Sequence, residues 1–258
     1  MLLYEHPLSS YVQKVKIALR EKGIAFTPEL PVGIGSGSAA GGFQDASLRA
    51  EVPALVDGDV RIFDSTIILE YIEDKWPTPP LLPRDPAERA TARMIEDICD
   101  THYEAINWGL GEINWFKRAD GALKDSLVAA ARTQTAQIQA WLERQLGGRT
   151  WFNGGSFGWA DLSVAPYLNR SFHYGIGPTP GSALDTWLKR IKERPSVAQT
   201  FTEFEAAKDG MANAAQRLAS GQMRREYRDH RLEWMIKSGG IQVVLDGLTK
   251  NNIRFSWP

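Results

Sequence analysis

The apolar positions near the start of the chain change from strand-like to helix-like spacing within a few residues. Residues 2–4 form a short apolar run that predicts a buried strand. Apolar residues then recur at helical spacing over residues 12–19, and Gly23 is a stop signal for that helix. Ser9 and Ser10 therefore lie in a polar turn where a predicted strand meets a predicted helix.

The next fifty or so residues continue with short elements of both kinds. Residues 26–30 predict a second strand. Two further strands are predicted within residues 51–63, joined by an Asp-Gly turn of hairpin type. A strongly amphipathic helix is predicted over residues 66–76. The order strand, helix, strand, hairpin, helix indicates a small α/β domain.

The rest of the chain follows helical patterns. A proline-rich stretch at residues 77–86 has the composition of a linker. Helices are predicted over residues 87–116, 122–146, 159–174, 185–194 and 203–237, followed by strand-like or extended segments at 241–245 and 252–257. We therefore expect two domains, residues 1–77 and residues 87–258, the second all-helical with a C-terminal extension.

The serines at the first predicted helix start have a chemical as well as a structural interpretation. A helix N-terminus stabilises a partly buried anion by up to ~2 kcal/mol, and a hydrogen bond to a charged group adds ~1.5–3 kcal/mol. Together these effects would bring a thiol pKa from ~8.5 to near neutrality. This favours Ser9 or Ser10 as the stabiliser of a thiolate rather than as a nucleophile. The alternative is that either serine only caps the helix.

Composition excludes several other classes of function. The 258 residues include 43% hydrophobic residues, enough for a substantial core, and carry a net charge of −1, which gives no electrostatic reason to expect nucleic acid or an anionic membrane as partner. No apolar run is long enough for a membrane span, and the N-terminus lacks the layout of a signal peptide. Cys99 is the only cysteine, and the four histidines are scattered, so we expect a cytoplasmic protein without a metal site.

The order of elements and three short motifs resemble the cytosolic glutathione transferase family over nearly the whole chain. In this family the first helix begins at a catalytic Ser, Tyr or Cys, a Val-Pro pair holds a cis peptide bond, and an acidic residue followed by Ser opens the third helix. The matching residues here are Ser9 or Ser10, Val52-Pro53 and Asp64-Ser65. The resemblance implies the glutathione transferase fold, with a thioredoxin-like α/β N-terminal domain, an all-α C-terminal domain and, here, an extended C-terminal tail.

The resemblance also implies how glutathione, the co-substrate, would bind. Pro53 would turn the backbone of Val52 outward to pair with the cysteinyl part of glutathione. Ser65, at a helix N-terminus, would receive the γ-glutamyl carboxylate. Asp64, or a carboxylate of a partner subunit, would take the γ-glutamyl ammonium, and Arg49 is a candidate for the glycyl carboxylate.

The choice between Ser9 and Ser10 depends on the subgroup. The run around them is similar to serine-type members of the tau, zeta and bacterial etherase-like groups. In the tau-like pattern the serine lies five residues before a basic residue, which selects Ser9 relative to Lys14, whereas the delta-like offset of four selects Ser10. Ser9 is the preferred assignment.

A substrate pocket is expected between the two domains, beside the first long helix of the second domain. The residues expected to line it are Tyr11, Tyr103, Asn107, Trp108, Trp115 and Phe116. Their aromatic rings could stack on an aromatic electrophile, or they could be ordinary core residues. The C-terminal tail could fold over the mouth of the pocket, bind a partner or extend a dimer.

A later segment matches the family with one departure. Residues 157–163 resemble the family segment in which Ser or Thr caps a buried helix three residues before an Asp. Gly158 stands where that hydroxyl is expected, and Asp161 can still accept backbone N–H groups. The fold should survive with a loss of roughly a few tenths of a kcal/mol, the usual cost of Gly at an N-cap.

Two function classes follow from the resemblance. The first is a homodimeric detoxification enzyme that activates glutathione as a thiolate for attack on a small, hydrophobic or aromatic electrophile. Glutathione-dependent lyases, etherases and isomerases use the same activation. The alternative is a non-catalytic glutathione-transferase-like binding or scaffold protein that uses its C-terminal extension.

Overall fold

A computed structural model describes residues 1–35, 41–225, 227 and 229–253. Its sheet has four strands in the spatial order β2-β1-β3-β4. The strands are β1 Leu2–Tyr4, β2 Thr27–Glu29, β3 Ala54–Asp57 and β4 Val60–Phe63. Strand β1 is parallel to β2 and antiparallel to β3, and β3 and β4 form the predicted hairpin.

Three helices accompany this sheet: α1 Ser10–Glu21, α2 Gly42–Ala46 and α3 Ser65–Lys75. Helix α1 is buried on nearly every side, because Val12, Val15 and Leu19 lie in the core and the charged residues Lys14 and Lys16 are buried as well. A helix in this position needs partners on both sides. It packs against α3 within the first domain and, in the helical region, against α7 Trp159–His173 and α9 Pro195–Ala207.

The helical region begins after the proline-rich stretch. Its helices are α4 Pro86–Ile98, α5 Glu104–Asn114, α6 Gly121–Leu146, α7 Trp159–His173, α8 Ala183–Lys192, α9 Pro195–Ala207, α10 Ala214–Ala219, α11 His230–Lys237 and α12 Ile241–Thr249. A π-helical segment, Cys99–Tyr103, joins α4 to α5, so the single helix predicted over this region is confirmed in extent but changes its hydrogen-bonding pattern in the middle. No helix in the described part of the chain combines the length and apolar character that crossing a bilayer requires.

The C-terminal tail differs from its prediction. The long helix predicted over residues 203–237 is wrong, because α9 ends at Ala207 and Gly221, at a φ of 76°, follows the short α10. The strand-like segment predicted at 241–245 is also wrong, since these residues begin α12. The β-branched residues in this segment favour a strand prediction, but the spacing of its apolar residues also fits one face of a helix. The extended segment predicted at 252–257 falls largely outside the described residues.

A buried ion-pair network joins α1 to the helical region. Lys14 is fully buried, and its Nζ lies 2.5 Å from Glu96 Oε1 and 2.5 Å from Asp100 Oδ2. The hydroxyl of Tyr167 donates to the other Asp100 oxygen at 2.6 Å. Burial raises the pKa of Asp100 to about 6. Removing one partner from a buried ion-pair network leaves an uncompensated charge, which strongly destabilises the fold. The network therefore fixes α1 against α4, the π-helical segment and α7.

Candidate active site

The sheet register brings together the three motifs that the sequence singles out. Tyr4 at the end of β1 pairs with Ala54 at the start of β3, and Ala54 pairs with Phe63 at the end of β4. The segments that leave the sheet at these strand ends are the turn of residues 5–9, the Val52-Pro53 pair and the Asp64-Ser65 pair. All three therefore lie at one edge of the sheet, beside the start of α1.

The two serines at the start of α1 have different surroundings. Ser9 is the N-cap residue, partly exposed, and its Oγ accepts a long hydrogen bond of 3.4 Å from the amide of Val12. Ser10 is buried, and its Oγ accepts a hydrogen bond of 3.3 Å from Nη1 of Arg170 on α7. A molecule arriving from solvent can therefore reach Ser9 more directly than Ser10.

The Val52-Pro53 and Asp64-Ser65 pairs both have unusual backbone conformations. The Val52-Pro53 peptide bond is cis, as the family resemblance implies. Asp64 has a φ of 78°, a conformation that costs a non-glycine residue about 1–3 kcal/mol. Its Oδ1 accepts hydrogen bonds from the amides of Thr66, at 3.0 Å, and Ile67, at 3.4 Å. The Asp64 carboxylate therefore caps α3.

Arg49 and Ser65 lie beside this cap. Ser65 is the first residue of α3 and is buried. Arg49 is half exposed, with Nη1 3.5 Å from Asp64 Oδ2 and its guanidinium carbon 5.2 Å from the centre of the Phe63 ring. A cation and a helix N-terminus at the same sheet edge create a region that favours anionic groups.

Tyr11 lies at the boundary between the sheet domain and the helices. Its hydroxyl donates to the backbone carbonyl of Asp100 at 2.7 Å, and its ring meets that of Tyr167 edge-on at 6.1 Å. These contacts hold the ring next to the start of α1. The phenol proton is used in a contact with the helical domain.

Two of the residues predicted to line a substrate pocket are fully buried. Tyr103 is fully buried and its hydroxyl accepts a hydrogen bond from Nε2 of Gln139 at 3.0 Å, while burial raises its pKa. Asn107 is fully buried and donates through Nδ2 to the carbonyl of Tyr167 at 3.0 Å. Both side chains join α5 or the preceding turn to neighbouring helices. A pocket-lining role for these two residues stays a prediction.

The aromatic residues of α5 lie in separate environments. Trp115 faces α7, with the Arg170 guanidinium carbon 5.2 Å and the Tyr174 ring 5.7 Å from its ring. Trp108 meets the ring of Tyr227 at 4.7 Å and lies under Arg225 of the tail. Phe116, also expected at the pocket, is buried beneath the same arginine, at 4.0 Å.

One cavity in the described structure lies between α5 and α6. Its volume is about 430 Å³. It is lined by Ile106, Gly109, Leu110, Glu112, Ile113, Arg118, Ala119, Leu123, Leu127, Ala130, Ala131, Gln134 and Tyr227. At 3.6 residues per turn, Ile106, Leu110 and Ile113 share one face of α5, because they are spaced by three or four residues. Within the described chain, none of the residues predicted for the pocket lines this cavity.

The tail reaches both domains. The amide of Arg224 donates to the carbonyl of Gly35 at 2.8 Å, which ties the tail to the loop after β2. Arg225 Nε lies 2.5 Å from Glu112 Oε1, which ties the next residue to α5. The tail therefore contacts both the sheet domain and the helical domain.

Sequence reasoning missed a buried ion pair beside the candidate site. Arg170 Nη1 lies 3.0 Å from Glu104 Oε1, and both side chains are buried. The signal was an arginine inside an otherwise apolar helix, where a charge needs a partner. The same cation acts on His6, in the turn before α1. Burial and, to a smaller extent, the charge of Arg170 lower the pKa of the His6 imidazole.

The structure combines a thioredoxin-like α/β domain with a helical domain, and a capped helix start lies at the sheet edge. Comparison with known proteins identifies the family that has this two-domain architecture. Residues 3–80 match the model of the glutathione S-transferase N-terminal domain, and residues 125–199 match that of the C-terminal domain. The chain belongs to the glutathione S-transferase family.

Individual relatives agree over most of the chain. Glutathione S-transferase U28 of Arabidopsis thaliana is 28% identical over 76% of this chain and 86% of its own. A stringent starvation protein A homolog of Histophilus somni is 25% identical over 79% of this chain and 91% of its own. A glutathione S-transferase structure from Rhodospirillum rubrum F11 has a TM-score of 0.67 and 26% identity, covering 77% of this chain and 90% of that one.

Proposed function

We propose that the protein is a glutathione transferase that binds glutathione, its co-substrate, at the sheet edge and activates it as a thiolate at the start of α1. The observation that carries the proposal is the register that brings the strand ends at Tyr4, Ala54 and Phe63 into one row. This row places an anion-favouring helix start, a cis-proline segment and a second helix start side by side.

Ser9 is the residue proposed to donate a hydrogen bond to the thiolate. It is partly exposed at the helix start, whereas Ser10 is buried and accepts a hydrogen bond from Arg170. The thiolate sulfur would form a bond to an electrophilic carbon as the leaving group departs with its electron pair, or as an epoxide or alkene takes up the charge. In this scheme Ser9 forms no covalent bond and stabilises the anion.

The remaining contacts to glutathione are assigned to residues of the same edge. Ser65 would receive the γ-glutamyl carboxylate at the start of α3, and the backbone of Val52, before Pro53, would pair with the cysteinyl part. Arg49 would contribute positive charge for a carboxylate. Asp64 already caps α3, so its further role with an ammonium group would use the oxygen that faces Arg49.

The electrophile is proposed to be small and hydrophobic or aromatic. Tyr11 and Trp115 are the two candidate residues whose contacts place them near the start of α1, through Asp100 and through Arg170. An aromatic substrate would gain ~0.5–1.5 kcal/mol from a ring contact beyond its buried area. Trp108 would contribute only after displacement of the tail residues Arg225 and Tyr227.

The setting of the reaction is part of the same proposal. We propose a cytoplasmic homodimer with domains at residues 1–77 and 87–258. The only cysteine, Cys99, is buried with a raised thiol pKa, which fits a reducing compartment better than a disulfide-forming one.

A second candidate function is a glutathione-transferase-like protein that binds a partner without catalysis. The tail supports it, because Trp234 is 66% exposed and Val243 is 63% exposed on α11 and α12. The relative from Histophilus somni supports it as well, since its name is not that of a transferase.

Glutathione-affinity retention followed by a turnover screen separates these functions. The full-length protein would be passed over immobilised glutathione and then assayed with an aromatic halide, an epoxide, an activated alkene and an aryl ether. Retention and turnover with at least one class is the expected result. Absence of turnover, with or without retention, would contradict the transferase and favour the partner-binding protein.

A further inference from the structure

A buried arginine lies directly behind the start of α1. Arg170 is only 8% exposed, and its Nη1 contacts Glu104 Oε1 at 3.0 Å and Ser10 Oγ at 3.3 Å. Its Nε finds no hydrogen-bond partner among the residues that the structure describes. A guanidinium carries five N–H donors, so this buried cation is incompletely paired.

The position of Arg170 gives its charge an effect on the helix start. Ser10, which accepts its hydrogen bond, is the residue next to Ser9. One face of the guanidinium is covered by the ring of Trp115 at 5.2 Å, which keeps water away. A charge in such surroundings is weakly screened and acts over several ångströms.

The charge of Arg170 affects one neighbouring group and is opposed by another. Arg170 contributes, after burial, to the lowered pKa of His6, so its field reaches the turn that leads into α1. Glu104 opposes the field, because its carboxylate accepts a hydrogen bond from the same guanidinium nitrogen that donates to Ser10. The contribution of this ion pair to the potential at the helix start therefore depends on the balance between one cation and one carboxylate.

We propose that Arg170 is a positioning residue that holds Ser10 and adds positive potential at the start of α1, thereby stabilising the thiolate of bound glutathione, with Glu104 limiting the effect. This inference rests on the proposed transferase function. Arg170 acts through the helix start and Ser10, and it forms no bond to the reacting atoms.

The test is a thiolate titration of glutathione bound to the full-length protein, followed by absorbance against pH. Arg170→Met should raise the thiol pKa by about one unit, which is tenfold less thiolate below the pKa. Arg170→Lys should retain most of the effect because it keeps the charge. Glu104→Gln should lower the thiol pKa, since it removes the opposing carboxylate while leaving the cation.

Opposite shifts from the two members of one ion pair distinguish electrostatics from structure. A purely structural pair would change affinity or stability in both variants without moving the pKa in opposite directions. Arg194→Met is the matched control, because Arg194 pairs with Glu21 at the far end of α1, at 2.6 Å, and should leave the thiol pKa unchanged.

The proposal is tested further by a variant that lacks the whole ion pair and by the parent protein itself. If Arg170→Met does not fold, the double variant Arg170→Met with Glu104→Gln removes both charges and should show a higher thiol pKa than Glu104→Gln, because only Glu104→Gln keeps the cation. A thiol pKa unchanged in Arg170→Met, or equal in the double variant and Glu104→Gln, with glutathione still bound, would overturn this proposal alone. Absence of a lowered thiol pKa in the parent protein would overturn the proposed function and this inference together.

Discussion

At the start of α3, two neighbouring residues have separate tasks. The carboxylate of Asp64 accepts hydrogen bonds from the amides of Thr66 and Ile67, so it caps its own helix. The capacity of this helix start to hold a carboxylate from a ligand then depends on Ser65 and on the helix dipole. Ser65 is therefore the member of the pair whose loss should affect an anionic ligand more directly.

We expect Ser65→Ala to weaken glutathione binding by about tenfold, because a lost hydrogen bond to a charged group costs ~1.5 kcal/mol or more. Titration calorimetry measures the affinity, and chemical denaturation measures stability. Ser182→Ala is the control: Ser182 caps α8 with its Oγ 3.2 Å from the amide of Asp185, so its loss should lower stability and leave affinity unchanged. Equal affinities of parent and Ser65→Ala would refute the assignment.

Asp161 offers a test at a residue away from the site. Its Oδ1 accepts hydrogen bonds from the Trp187 indole at 2.8 Å and from the amide of Phe152 at 2.9 Å, and its Oδ2 accepts one from the amide of Gly158 at 3.1 Å. Burial raises its pKa to about 6. A carboxyl whose pKa is raised on folding holds its proton more tightly in the folded state. Its contribution to stability is fully present below its unfolded pKa and is lost as the pH rises through about 6.

The free energy of unfolding of the parent should therefore exceed that of Asp161→Asn more at low pH than at high pH. The difference should grow by ~1 kcal/mol between about pH 8 and about pH 5. Urea denaturation across this range measures it. Asp185→Asn is the control of opposite sign, because the Lys189 ammonium lowers the pKa of Asp185 and its contribution fades as the pH falls. A constant difference for Asp161→Asn would contradict the raised pKa.

Among single residues, the motifs were predictable and the partners were not. Pro53, Asp64 and Ser9 are marked by local sequence, because turn and cap preferences depend on neighbouring residues. The bond from Arg170 to Ser10 joins residues far apart in the chain, which no local pattern encodes. The buried role of Lys14 was missed for the same reason, since its partners are on α4 and the π-helical segment.

At the scale of elements, the start of α7 lacks the cap hydroxyl that the family pattern has at residue 158. Asn153 takes the place of the missing cap hydroxyl, because its Oδ1 accepts from the amide of Ala160 at 3.3 Å. A Cβ at Gly158 would lie 1.7 Å from Asn153 Nδ2 and 2.3 Å from the carbonyl of Leu81. The glycine is therefore required by space, and the departure from the family pattern is compensated.

Gly158→Ser, which restores the family residue, should destabilise the protein by ~1–3 kcal/mol, since overpacking against backbone forces neighbouring atoms to move. Thermal and urea denaturation measure the change. Gly155→Ser is the control, because a Cβ there meets nothing within 4 Å. Greater stability of Gly158→Ser than of the parent would show that the cap hydroxyl outweighs the clash.

The elements themselves were predictable where periodicity was strong. Helices α6, α7 and α8 begin and end within two residues of their predictions, because long amphipathic patterns and turn residues bound them. The neighbours of the aromatic residues of α5 were not predictable, since helical spacing alone does not say which face of a helix meets which neighbour. The apolar face of α12 was misread because a short run rich in β-branched residues fits a strand and a helix equally.

At the scale of the whole molecule, α1 serves both domains. Lys16 Nζ lies 2.6 Å from Glu203 of α9, and Arg194 pairs with Glu21 at 2.6 Å, in addition to the buried network around Lys14. The helix that carries the proposed catalytic serine is thus held from both sides. Rigid support of this kind favours a fixed geometry at the helix start.

We expect the full-length chain to sediment as a two-fold homodimer at micromolar concentration, as proposed from the family resemblance. Exposed apolar side chains, including Ile67 on α3 and Leu123 on α6, fit an interface between copies. Sedimentation velocity should give a mass of twice 28.8 kDa. A species at 28.8 kDa would contradict the dimer.

In the proposed mechanism, glutathione supplies the nucleophile and Ser9 stabilises its anion. The most direct measurement is the absorbance of the bound thiolate against pH in the parent, Ser9→Ala and Ser10→Ala. Ser9→Ala should retain glutathione and raise the thiol pKa by ~1–2 units, the equivalent of one hydrogen bond to a charged group, and Ser10→Ala should shift it less. A larger shift in Ser10→Ala would move the role to Ser10, and unchanged titrations in both variants would contradict serine stabilisation of the thiolate.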